Sequence, residues 1–161
     1  MDDFKLNRKL VARRAYSLVE LLIVIVIMGI MAGVAMPMVG NAIEERHVTA
    51  SAMQIKADLE AARSYAVSTS SAQSLRFNAI AEGYTWSGMN DPDRPGRPYK
   101  IDLSADQYAS ELISADFGGD GDVVFDMHGM ADSDGEIIVR AGALQLRVLL
   151  DGVTGEVTVK E

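Results

Sequence analysis

The chain has 161 residues and a formal net charge of −8, with no cysteine and only two histidines. That composition excludes a disulfide framework, a thiol nucleophile and a cysteine-based zinc site, and it argues against nucleic acid as a partner, whose phosphates need Lys and Arg opposite them. Hydrophobic residues make up 48% of the chain but aromatics only 6%, so aliphatic residues are concentrated somewhere.

Residues 1–15 hold Lys5, Arg8, Lys9, Arg13 and Arg14 against Asp2 and Asp3, whereas the rest of the chain is strongly acidic. Leu21–Val39 is then an apolar run without a single charge. At about 1.5 Å per residue it covers about 28 Å, close to the ~30 Å hydrocarbon core of a bilayer. Basic flanks stay cytoplasmic, so residues 1–15 are expected in the cytoplasm and the acidic bulk outside.

Three readings of this N-terminus compete. One is a secretory signal peptide cut after Gly33-Val34-Ala35, releasing a domain that begins at Met36. Another is an uncut signal anchor. The third is a leader cut before the apolar run, on the cytoplasmic side. Glu20 bears on the choice, because it stands at the cytoplasmic lip of the run. An ionised carboxylate costs roughly 2.5–3.5 kcal/mol at the bilayer centre and less near the edge. A signal peptide or a plain anchor has no use for it, although by itself it also reads as an interfacial residue that reaches the headgroups. A cut between Ala15 and Tyr16 would place a cationic amine one helical turn away. Within the run, Gly29 and Gly33 form a small-xxx-small pair that lets helices approach closely in lipid. Pro37 lacks an N–H and is expected to kink or loosen the helix.

From Asn41 to about Ser68 there is neither Pro nor Gly. Val48, Ala52, Ile55, Leu59, Ala62 and Ala66 recur at helical spacing as one apolar stripe, with Glu44, Glu45, Arg46, Lys56, Asp58, Glu60 and Arg63 mostly off it. One helix is therefore expected from about Leu18 to Ser68, roughly 75 Å long, its outer half laying the stripe on a sheet built from the later residues. After Ser70 the period changes to two. Ser74–Phe77 and Tyr84–Ser87 read as strands around a Glu82-Gly83 turn, and Asp91–Pro98 reads as a loop. Tyr99–Leu103 reads as a strand, and Leu103–Asp116 is ambiguous. Val123–Phe125, Glu136–Arg140, Leu144–Leu150 and Glu156–Lys160 read as further strands, with turns at His128-Gly129, Asp134-Gly135, Ala141-Gly142 and Thr154-Gly155. One helix and then many antiparallel strands is an α+β fold.

The string Arg13-Arg14-Ala15-Tyr16-Ser17-Leu18-Val19-Glu20-Leu21-Leu22 resembles the leader junction of type IV pilins and type II secretion pseudopilins. In that family a glutamate is the fifth mature residue and a proline often the twenty-second; Glu20 and Pro37 fall there if Tyr16 is first. Two departures stand out: Ala15 replaces the usual Gly before the cut, and Tyr16 replaces Phe or Met after it. Asp122-Val123-Val124-Phe125-Asp126, Gly129, Asp134–Val139 and Thr154-Gly155-Glu156-Val157 resemble, more loosely, the globular domain of H-type pseudopilins and fimbrial T-type minor pilins. The resemblance implies a basic leader (1–15), a transmembrane and filament-core helix (16–40) and a globular pilin-like domain (41–161). It implies cleavage between Ala15 and Tyr16 by a prepilin peptidase, N-methylation of Tyr16, and pairing of Glu20 with a neighbour's N-terminal amine. The implied partners are the peptidase, other pilin or pseudopilin subunits and the inner-membrane assembly machinery, around a single-pass protein of the cytoplasmic membrane that needs no cofactor and is no enzyme. The alternative is a signal-anchored periplasmic binding domain that does not polymerise.

Other chemistry finds little support. Asp120, Asp122 and Asp126 are the nearest thing to a calcium-ligand set, in a segment (116–136) whose Asp and Gly read more simply as turn residues. His47 and His128 read as a solvated helix position and a turn residue. There is no phosphate loop and no nucleophile elbow.

Overall fold

The computed structural model describes residues 17–161, with the side chains of 34–39 set aside. A single helix, α1 (Leu18–Thr69), precedes eight strands: β1 (Gln73–Asn78), β2 (Gly83–Asn90), β3 (Pro98–Asp102), β4 (Glu111–Phe117), β5 (Asp122–Phe125), β6 (Gly135–Ala141), β7 (Leu144–Leu150) and β8 (Val157–Lys160). By their contacts the residues divide into a unit that ends at Val39 and a second spanning Gly40–Glu161.

In the first unit the described helical side chains, those of Leu18–Gly33, are exposed all round. Leu21, Ile23, Ile25, Ile27, Met28 and Met31 each leave about half or more of their surface uncovered. A helix apolar on every face is stable only inside a larger apolar environment, a protein core or a bilayer. Among the described residues no helix is long and apolar enough to cross a membrane. The apolar run of the sequence, however, continues into 34–39, whose side chains lie outside the described set. The helix also carries on through Pro37, so the loosening expected there is not a break: a proline removes one N–H donor from the ladder.

In the second unit, Val48, Ala52, Ile55, Leu59, Ala62 and Ala66 are buried, as their spacing predicts. They form one core with residues of two four-stranded antiparallel sheets, ordered β3-β2-β1-β5 and β4-β6-β7-β8. β1 pairs with β2 through Leu75↔Trp86 and Phe77↔Tyr84, and β6 pairs with β7 through Ile137↔Val148. The sheets meet at Phe77 and Phe117, whose rings lie 5.5 Å apart. The ambiguous stretch resolves into a turn-rich segment before β4, held by Ser110 N–H donating to the Leu103 carbonyl at 2.9 Å. Two expected turn glycines are instead strand residues. Gly83 opens β2 and Gly135 opens β6, because a Cβ at either would run into the Ile101 carbonyl or the Phe117 ring. The turn before β2 lies at Ala79–Glu82, with Glu82 N–H donating to the Ala79 carbonyl.

The buried stripe predicts a sharp contrast on one helix. Leu59→Ala is expected to destabilise the second unit by about 2–5 kcal/mol. Met53→Ala, at a position 53% exposed, is expected to stay within about 0.5 kcal/mol. Denaturant unfolding monitored by the single tryptophan, Trp86, measures both; equal losses would mean that the stripe does not carry the core.

Candidate functional site

The site read from the sequence is the start of α1. Ser17 accepts the first helical hydrogen bond, from Leu21 N–H at 3.1 Å, so it is the N-cap and Glu20 stands at the third helical position. Ser17-Leu18-Val19-Glu20 thus has the spacing of a capping box, and an acid in the first turn is favoured by the helix dipole. Glu20 therefore stands where a helix start favours an acid, apart from the intermolecular role that the resemblance implies. Its side chain is exposed. Gly29 and Gly33 have open space around them: nothing among the described residues uses the close approach that two glycines four apart permit. Ala15 and Tyr16 lie outside the described residues.

The three aspartates of the calcium reading are each engaged locally. Asp120 Oδ1 accepts the Asp122 N–H at 3.0 Å, and Asp126 Oδ1 accepts the N–H groups of His128 and Met130 at 2.9 Å. Asp122 receives a two-pronged ion pair from Arg76, at 2.9 and 2.6 Å. The Met130 and His128 amides hold the Asp126 carboxyl below the usual carboxylate range. Among the described residues no group of three His, Asp or Glu side chains could hold a metal ion. His128 is exposed in its turn, and His47 is half-buried rather than fully solvated.

One polar cluster is not apparent from the sequence. Asp58, expected on the solvated side of the stripe, is buried. Its Oδ2 accepts the hydroxyls of Tyr84 at 2.5 Å and Tyr99 at 3.1 Å, and its Oδ1 accepts the Gln54 amide at 3.1 Å. The helix supplies the acid and the Gln54 amide, and the second and third strands supply the two hydroxyls, so the cluster ties α1 to the first sheet. Burial first, and then the Asp58 charge, push both tyrosine hydroxyls above their ordinary range; they stay protonated and keep donating. Two other hydrogen bonds tie the helix to the loops: Arg63 Nε donates to the Gly129 carbonyl at 3.1 Å, and Ala143 N–H donates to Glu44 at 3.2 Å.

Comparison with known proteins respects the same division of the chain. Residues 11–36 match a family profile described as a prokaryotic N-terminal methylation motif. Residues 51–154 match one described as type II transport protein GspH. Among solved structures, the type IV minor pilin FimU of Pseudomonas aeruginosa is similar in fold, with a TM-score of 0.54 at 16% identity, over 71% of this chain and 88% of that one. No curated protein matches. A long N-terminal helix joined to an antiparallel β domain is the pilin-like α+β fold.

The Asp58 cluster predicts a particular pH dependence. Folding holds Tyr84 and Tyr99 protonated beyond the point at which the unfolded chain releases its protons. Their contribution is therefore complete below about pH 10 and declines as pH rises above it. Tyr84→Phe leaves Asp58 short of a donor and is expected to cost about 1–3 kcal/mol at pH 7, with a shallower alkaline decline. Denaturation midpoints from pH 7 to 11 test this; a variant as stable as the parent at pH 7 would show that the bond contributes nothing.

Proposed function

This chain belongs to the GspH family of type II transport proteins, and from that premise we propose that it is a minor pseudopilin-like structural subunit of a type II secretion or type IV pilus-like filament. The observation that carries the reading is the methylation motif over residues 11–36, which overlaps the start of a helix that exposes apolar side chains from Leu21 to Met31 and carries Glu20 in its first turn. In this reading a prepilin peptidase cuts between Ala15 and Tyr16 at the cytoplasmic face and the new amine of Tyr16 is methylated. The protein waits in the inner membrane as a single-pass precursor, N-terminus inside and β domain in the periplasm. Assembly machinery then draws the helix from lipid into a bundle of like helices.

The chemistry of that transfer turns on Glu20. In lipid its carboxylate sits at the headgroup edge, where the helix N-terminus favours it. In a bundle of apolar helices it loses water, and a buried charge is tolerable only when paired. The Tyr16 amine of an adjacent subunit supplies the cation. Gly29 and Gly33, which nothing among the described residues covers, would admit a neighbouring helix at short range. The role is structural and asks for no cofactor.

Two substitutions separate this reading from a signal-anchored domain that never polymerises. Glu20→Leu removes the acid without shortening the apolar run; insertion and cleavage are expected to persist, while cross-linking to other subunits and secretion or piliation fail. Ala15→Leu is expected to block processing and leave a precursor heavier by the leader. Full complementation of a deletion by Glu20→Leu would remove the filament role of the acid.

A further inference from the structure

The Asp58 cluster has a second side. Between the last turns of α1 and the β2–β3 pair lies an open groove of about 520 Å³ whose wall includes Asp58, Tyr65, Trp86 and Tyr99, with Ser64 and Asn90 also lining it. Three rings stand in sequence around it. Tyr65 and Trp86 meet edge-on with centroids 6.0 Å apart, and Trp86 meets Tyr99 edge-on at 6.3 Å. The indole is fixed in that orientation because its Nε1–H donates to Gln73 Oε1 at 3.0 Å. Tyr65 is 45% exposed and Tyr99 half-buried, while Trp86 is almost covered at 3% and closes the groove from beneath, so Tyr65 is the ring most open to a visitor.

The carboxylate is what gives the groove a preference. Asp58 is 8% exposed, and its donors are two hydroxyls and an amide. These occupy much of its acceptor capacity without cancelling its charge. Among the described residues the ion pairs involve other acids, and no Lys, Arg or His is paired with Asp58. A buried charge satisfied only by neutral donors leaves a negative potential in the space beside it. Ring faces attract cations by their quadrupole as well. The two effects point the same way. A bare metal ion is not the fitting guest, since one carboxylate supplies too few oxygens for calcium or magnesium. A delocalised or bulky cation on an apolar stem suits an apolar groove with one charge in its wall.

We infer that this groove is a binding site for a cationic side chain, arginine or lysine, presented by a partner protein: the stem lies along Tyr65 and Trp86 and the charged head reaches toward Asp58. That the partner is another filament subunit rests on the reading above; the chemistry of the groove does not. Trp86 is the only tryptophan of the chain and lies in the groove, so its fluorescence reports occupancy directly.

The test uses the full chain in a non-ionic detergent, because zwitterionic headgroups carry cations of their own. N-acetyl-arginine amide, N-acetyl-lysine amide and the uncharged isostere N-acetyl-citrulline amide are titrated at matched ionic strength. The expected result is a saturable Trp86 response to both cations and one at least about fivefold weaker to citrulline. Tyr65→Ala, which alters an exposed ring, is expected to weaken the arginine response about fivefold, and Asp58→Asn to do so where the variant folds. Equal responses to arginine and citrulline, no response to either cation, or an unchanged response in Tyr65→Ala would overturn the inference. None of these outcomes depends on Glu20 or on filament assembly, so a failure here is distinguishable from a failure of the filament reading.

Discussion

Everything in the second unit rests on one face of one helix. Val48, Ala52, Ile55, Leu59, Ala62 and Ala66 join residues of both sheets in one core. Burial of such aliphatic surface at roughly 25 cal/mol per Å² is the main favourable contribution to a domain of this size. The polar ties at Glu44, Asp58 and Arg63 then hold the helix against the first sheet and the loops. The same helix begins with a different pattern, apolar on all faces from Leu21 to Met31, with those faces uncovered among the described residues. A helix of which one part is solvated on one side and the other part rejects water on all sides cannot be at rest in a single solvent. On the reading proposed, that mismatch is the physical reason for a membrane and then for a filament.

The local pattern reaches far. The stripe is visible at spacings of three and four, and the strands at spacings of two, because each period reports which side of an element is buried. Strand partners are a different matter. β5 pairs with β1 and β4 with β6, so one chain of alternating strands divides between two sheets. Nothing in a strand's own alternation says which distant edge it will join. Gly83 and Gly135 read as turns for a related reason: a glycine that signals a bend looks the same as one that lets a carbonyl or a ring come near.

Asp58 shows the limit most plainly. A carboxylate beside an apolar stripe is by default a solvated residue. Its burial depends on hydroxyls 26 and 41 residues further on, and those tyrosines arrive only once β2 and β3 are in register, Trp86 opposite Tyr99 and Tyr84 opposite Ile101. The candidate site at the N-terminus is legible for the opposite reason. On the reading proposed, the cleavage site, Glu20 and the glycines are encoded in contiguous sequence, because a processing enzyme and a helix bundle both read a single extended or helical segment. Ser17 and Glu20 carry a further local message that the leader motif masks: serine with glutamate three residues later is the ordinary signature of a helix cap.

The identity of the mature N-terminus decides between the filament subunit and its alternatives. The protein would be purified from membranes of cells with an active prepilin peptidase and its intact mass and N-terminal residue determined. A filament subunit of this family is expected to begin at Tyr16 and to carry one methyl group on its amine. A chain that begins at Met1, or one released at Met36, would contradict the filament role, since neither could present the Tyr16 amine to a neighbour's Glu20.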